Sequence, residues 1–140
     1  MNKTPNQLLI IFGASGDLTE RKLIPGLFNL FKGNHLPAGF AVLGVSRSSD
    51  TDESFRERVA LSNSHIPDTI QNHGLRKEFA EKVFYHGLED SYDSDYTPLR
   101  ARIEQLDLEI ESTGNHIFYL STPPALYETI ARNLHARDLT

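Results

Sequence analysis

Phe12-Gly13-Ala14-Ser15-Gly16-Asp17-Leu18-Thr19 is the stretch whose residue types and spacing most directly permit chemistry. It lies between the apolar run Leu8–Phe12 and a segment in which Leu18, Leu23, Leu27, Leu30 and Phe31 recur with helical spacing. That placement predicts a turn from a buried strand into a helix, which is where a parallel sheet binds phosphate. Gly13 suits the tight turn because it tolerates positive φ. Gly16 has no side chain, so a pyrophosphate can approach the backbone. Amides at a helix start lack partners within the helix and attract an anion, helped by the helix dipole. The spacing is Gly-x-x-Gly-x-x-Thr, distinct from the Gly-x-Gly-x-x-Gly fingerprint, and no Gly-Lys-Ser/Thr follows to make a P-loop. Two glycines alone could equally form a plain connection; their position behind a buried first strand favours a dinucleotide.

The second apolar run, Ala41–Val45, bears on which dinucleotide. An acidic residue at its end would hold a ribose diol and favour NAD. Here Ser46-Arg47-Ser48-Ser49 follows. Arg47 offers a charge-assisted fork to a 2′-phosphate, with hydroxyls beside it, so NADP is favoured over NAD. The alternative for Arg47 is a solvated surface arginine.

Other chemistries find little support. Cysteine is absent, which removes disulfides, zinc thiolates and a cysteine nucleophile. His35, His65, His73, His86, His116 and His135 include no pair with zincin spacing, and no metal site is expected. The acidic stretch Glu89–Asp95 lacks the glycine and distal glutamate of an EF-hand and reads as a solvated turn. No Tyr-x-x-x-Lys pair is present, which sets aside an epimerase-type sugar reductase.

These residues need a scaffold. Leu8–Phe12 and Ala41–Val45 are continuous apolar runs, as expected of strands buried on both faces, and Val83–Tyr85 and Ile117–Leu120 are two further short strand candidates. Helical patterns fill the gaps. Pro25 predicts a short first turn, a kink and a second helix with the proline near its start. Helices are also expected over Asp52–Ser62 and over Pro67–Lys82, where Gly74 puts continuity in doubt. A further helix is expected from Pro98 to Ser112, capped by Thr97 and stopped by Gly114, and a last one from Pro124. The alternation means a doubly wound, Rossmann-type α/β fold with a parallel sheet, truncated after about four strands, and one domain over residues 1–140. The chain has 140 residues with 14 basic and 19 acidic side chains, a net charge of −5. That size fits one domain, and that balance argues against a nucleic-acid binder. No signal sequence or membrane span is visible, so a cytoplasmic address is expected.

Gly13-Ala14-Ser15-Gly16-Asp17-Leu18-Thr19-Glu20-Arg21-Lys22-Leu23-Ile24-Pro25 resembles the amino-terminal signature of glucose-6-phosphate dehydrogenases. Phe28-Asn29-Leu30, Gly44-Val45-Ser46-Arg47 and Tyr119-Leu120-Ser121-Thr122-Pro123-Pro124 resemble the same family in the same order. The resemblance implies that Gly13, Ala14, Ser15, Gly16, Asp17, Leu18, Thr19 and Glu20 form the NADP phosphate loop. It implies that Arg47 binds the 2′-phosphate, that Leu88 and Glu89 line the adenine, and that Pro123 and Pro124 shape the nicotinamide end. Lys22 matches a lysine that reaches the sugar phosphate. Glu20 departs from the usual basic or small residue.

The implied reaction is oxidation of the C1 hydroxyl of glucose 6-phosphate, with hydride transfer to NADP and a lactone as product. The family's Glu-Lys-Pro-Phe-Gly and Arg-Ile-Asp-His-Tyr-Leu-Gly-Lys-Glu segments, the second carrying the base histidine, do not occur here. No catalytic residue is therefore expected in this chain, which reads as the cofactor-holding part of a larger homo-oligomeric enzyme and as inactive alone. The alternative is a stand-alone NADP-binding or sensing module acting through a protein partner. A sheet of four strands is expected to leave Ile117–Leu120 as an open apolar edge through which the chain associates.

Overall fold

The computed structural model describes residues 5–89 and 91–140. Four parallel strands form one sheet: β1 (Gln7–Phe12), β2 (Phe40–Ser46), β3 (Val83–Gly87) and β4 (His116–Leu120), in the order β3-β2-β1-β4. Leu9 pairs with Val42 on one side and Ile117 on the other, and Val42 pairs in turn with Val83. β2 is buried along its whole length, as its unbroken apolar sequence requires.

The period of two along each strand feeds two separate cores. Leu8, Ile10, Phe12, Leu43 and Val45 face α4 (Thr97–Ile110) and α5 (Tyr127–Ala136). Ile11, Val42, Val83 and Tyr85 face α1 (Ile24–Lys32), α2 (Asp52–Arg56) and α3 (Ile70–Ala80). The sheet is therefore wound on both faces, and the α/β expectation holds. The direction of winding reverses between β1 and β4. Such a reversal opens a crevice at the carboxyl ends of those two strands.

The helix after β1 answers Pro25 with a π turn. Thr19–Leu23 is π-helical, the Ile24 amide donates to the Thr19 carbonyl, and Pro25 becomes the second residue of α1. A proline amide donates nothing, so a carbonyl one turn earlier loses its partner. The buried Asn63 side chain supplies one, donating from Nδ2 to the Glu20 carbonyl at 2.8 Å and to the Val59 carbonyl at 2.8 Å. The turn is thereby tied to a second π turn, Glu57–Leu61.

Two helix-end expectations need correction, and the doubt over Gly74 is resolved. Thr97 is the first residue of α4 and does not cap it; the Asp95 carboxylate accepts from the Thr97 amide at 2.9 Å and from its hydroxyl at 2.6 Å. Those bonds hold the Asp95 carboxyl below its usual pKa. Gly114 does not stop α4, because the chain already leaves the helix at Glu111, whose φ is 55°. Gly74 does not break α3, which runs through it.

A β-carbon at Gly74 would meet nothing within 4 Å. Gly74→Ala is therefore expected to stabilise the domain by about 0.5–1 kcal/mol, read as a higher urea midpoint at unchanged slope.

β4 is an edge strand whose side chains alternate between half-buried and exposed, with Ile117 47% and Tyr119 41% exposed. The opposite edge is closed by side chains. Asp52 Oδ1 accepts from the Tyr85 amide at 2.8 Å, and Arg56 Nε donates to the Val83 carbonyl at 2.6 Å. Among the described residues no helix is long and apolar enough to cross a membrane.

Candidate functional site

The crevice at the carboxyl ends of β1 and β4 is a cleft of about 350 Å³ whose wall includes Gly13, Ser15, Gly16, Arg47, Tyr92 and Pro123. Gly13 makes the turn with φ 83°. Its amide and that of Ala14 both donate to the Val45 carbonyl, at 2.8 and 3.2 Å, which pins the turn against β2. The Gly16 amide folds back onto the Gly13 carbonyl at 3.0 Å. The donors left for an anion are those of Ser15 and of the helical turn beginning at Asp17, which has no intrahelical partners for its first amides.

Absent side chains keep this turn close to the sheet. A β-carbon at Gly13 would lie 2.5 Å from the Ser121 carbonyl oxygen. One at Gly44 of β2 would lie 2.8 Å from the Ala14 methyl and 2.7 Å from the Phe55 ring. The Ala14 side chain is consequently fully buried beneath the turn, while Ser15, Gly16, Asp17 and Leu18 are exposed above it.

The remaining positions singled out in the sequence distribute around this turn. Thr19 is fully buried, and its hydroxyl has no hydrogen-bond partner among the described residues. Asp17 pairs with Arg21 at 2.8 Å. Glu20 turns towards Arg58, 3.5 Å away, and lines neither the cleft nor the neighbouring recess formed by Arg47, Leu88 and Glu89. Lys22 is exposed on the π turn and is likewise outside both recesses. Arg47 stands between the cleft and a second recess of about 420 Å³, which it shares with Leu88 and Glu89. Pro123 lines the cleft, whereas Pro124 starts the short 3₁₀ turn Pro124–Leu126 that leads into α5.

Tyr92 also lines the cleft, a position that the sequence alone does not reveal. It falls in the acidic stretch that the sequence predicts as a solvated turn, of which Asp90 lies outside the described residues. Tyr92 is only 7% exposed, and the Arg47 guanidinium sits 5.6 Å from its ring centroid. Burial pushes the Tyr92 phenol pKa up, which keeps the hydroxyl neutral beside the glycine turn. Asp93 accepts from Asn133 at 3.1 Å and Asp95 pairs with Arg137 at 3.1 Å, so these acids fasten the loop to α5. The signal available was positional: a loop that follows a parallel strand must arrive at the carboxyl end of the sheet. Among the described residues no group of three or more acidic or histidine side chains could hold a metal ion.

A dinucleotide fits this arrangement. The turn is cleared of β-carbons at Gly13 and Gly16, a cation stands at one end, and recesses lie on both sides of that cation.

The family described as "Glucose-6-phosphate dehydrogenase, NAD binding domain" matches residues 10–140. The glucose-6-phosphate 1-dehydrogenase of Aggregatibacter actinomycetemcomitans is 41% identical over 98% of this chain and 27% of that protein. The enzyme of Treponema pallidum is 41% identical over 94% of this chain and 26% of its own length. A solved glucose-6-phosphate dehydrogenase in complex with its substrate glucose-6-phosphate superposes with a TM-score of 0.82 at 31% identity, covering 96% of this chain and 28% of that one. The chain thus spans about a quarter of the length of the curated relatives it matches.

Proposed function

Because the chain belongs to the glucose-6-phosphate dehydrogenase NAD-binding domain family, we propose that it is the cofactor-holding part of a dehydrogenase that oxidises glucose 6-phosphate with NADP. The observation that carries the reading is the Gly13 turn at the sheet's switch point with Arg47 at its flank. The cofactor, when bound, accepts a hydride from the C1 carbon of the sugar.

This chain's residues bind and orient. The Ser15 amide and the first helical amides hold the pyrophosphate, with Gly13 and Gly16 permitting the approach. Arg47 holds the 2′-phosphate, and Leu88 and Glu89 flank the adenine beside it. Pro123 and Pro124 shape the nicotinamide end. Asp17, Leu18 and Thr19 complete the loop, Thr19 from within and the other two at its surface, and Ala14 seats it. Lys22 reaches the sugar phosphate once the rest of the enzyme brings that group to the π turn.

The reaction also needs a base to take the C1 hydroxyl proton. Among the described residues no histidine lines the cleft, and the base is assigned to the part of the relatives' length that this chain does not span. The β4 edge, with Ile117 and Tyr119 exposed, is able to accept a further strand. A sugar phosphate is charged and retained inside the cell, which supports a cytoplasmic address.

Calorimetric titration of the purified chain with NADP, paired with a steady-state assay at saturating glucose 6-phosphate, tests this reading. Binding without turnover is expected. Substantial NADPH formation by these 140 residues would overturn the division of labour, and absence of binding would overturn the cofactor assignment.

A further inference from the structure

We propose that Tyr85, in β3, is a positioning residue for 2′-phosphate recognition: it fastens the segment on both sides of Arg47 and so contributes to cofactor preference from a neighbouring strand. The inference rests on the reading of Arg47 given above.

Arg47 itself is weakly held. It is exposed, and its guanidinium rests against the Tyr92 face at 5.6 Å. A long flexible side chain on a loose loop would lose much of its fork's advantage to ordering on binding. The loop, however, is not loose. The Tyr85 hydroxyl lies 2.6 Å from the Ser48 carbonyl oxygen, 2.9 Å from Ser48 Oγ and 2.5 Å from Ser46 Oγ. Ser46 Oγ and Ser48 Oγ are themselves 3.0 Å apart.

The proton arrangement follows from what each atom can do. The Ser48 carbonyl only accepts, so the Tyr85 O–H donates to it. The Tyr85 oxygen then accepts from the Ser46 hydroxyl, and Ser46 Oγ accepts in turn from the Ser48 hydroxyl. Every hydroxyl proton in the group has an acceptor. Residues 46 and 48 are thus fixed on either side of Arg47, and the Leu88 amide adds a bond to the Ser46 carbonyl at 2.7 Å.

Tyr85 is a rigid anchor for this purpose. It is 4% exposed, its ring packs against Phe55 with centroids 5.1 Å apart, and its amide is held by Asp52. Phenylalanine would fill the same space. What the tyrosine adds is the hydroxyl, and that hydroxyl is spent on the loop that carries Arg47.

The test compares 2′,5′-ADP with 5′-ADP, which differ only in the 2′-phosphate, as calorimetric ligands for the chain and for Tyr85→Phe, Arg47→Ala and the double variant. Tyr85→Phe is expected to raise the Kd for 2′,5′-ADP about five- to tenfold and to leave 5′-ADP within about twofold. In the double variant the Tyr85 change should add little to the Arg47 loss, because both act through one group. Ser48→Ala, at an exposed position, should move in the same direction by a smaller factor and keeps the test open if Tyr85→Phe does not fold.

Equal losses for both ligands, or additive losses in the double variant, would show that Tyr85 only supports the fold and would overturn the proposal. Selective loss in Arg47→Ala with none in Tyr85→Phe or Ser48→Ala would overturn it while leaving the Arg47 reading intact. No selective loss in Arg47→Ala would overturn both.

Discussion

Arg47→Ala is expected to weaken NADP about 10- to 100-fold and to leave NAD within about threefold. The two cofactors differ by one dianionic phosphate, and a hydrogen bond to a charged group contributes about 1.5–3 kcal/mol, with tenfold in affinity per 1.4 kcal/mol. Arg47 is exposed at the junction of the two recesses, so water and salt take part of that gain. The NADP preference of the unaltered chain should accordingly shrink as ionic strength rises. The small NAD loss reflects removal of the guanidinium from the Tyr92 face. Parallel titrations with both cofactors decide the matter: equal losses would mean that Arg47 is a surface arginine and that specificity lies elsewhere.

Gly13→Ala is expected to destabilise the domain by about 2–4 kcal/mol and to abolish measurable dinucleotide binding. Two separate costs add. The backbone at residue 13 has φ 83°, a region that L side chains avoid at about 1 kcal/mol or more. The new methyl would also sit 2.5 Å from the Ser121 carbonyl oxygen and 2.8 Å from its carbon. Those are backbone atoms at the end of β4, locked by the Ser121 amide bond to the Phe12 carbonyl at 2.8 Å, so they cannot swing aside as a side chain would. Either the turn opens or β4 shifts, and both deform the cleft. Urea unfolding of Gly13→Ala against Gly74→Ala makes the comparison direct, since one substitution should cost stability and the same substitution at residue 74 should add it. A Gly13→Ala midpoint matching the parent would refute the strain account.

Much of this molecule was legible in its residue order, and the reason is that burial in a sheet is a local pattern. Leu8–Phe12, Ala41–Val45, Val83–Tyr85 and Ile117–Leu120 became the four strands with ends shifted by at most two residues. The glycine turn lay where the sequence put it. Helix ends are less legible. The N-terminus of α4 is held by Asp95 and not Thr97, because a side chain one or two positions away can take the same amide. The continuity of α3 through Gly74 was decided by the packing of Phe79 and Ala80, which outweighs one poor helix former.

What the chain determined alone is the α/β alternation, a phosphate-binding turn behind the first strand, and a basic residue behind the second. Only the tertiary structure brought in Tyr92 and Tyr85, and only it showed how Pro25 is tolerated. The Asn63 bond that answers the proline spans 43 positions of sequence, and the Tyr85 bonds to Ser48 span 37. Such pairs depend on strand order and register, here the parallel alignment that sets Gly44 beside Tyr85. Order and register are set by the sum of many packing contacts across the sheet, and no local spacing of residues records that sum.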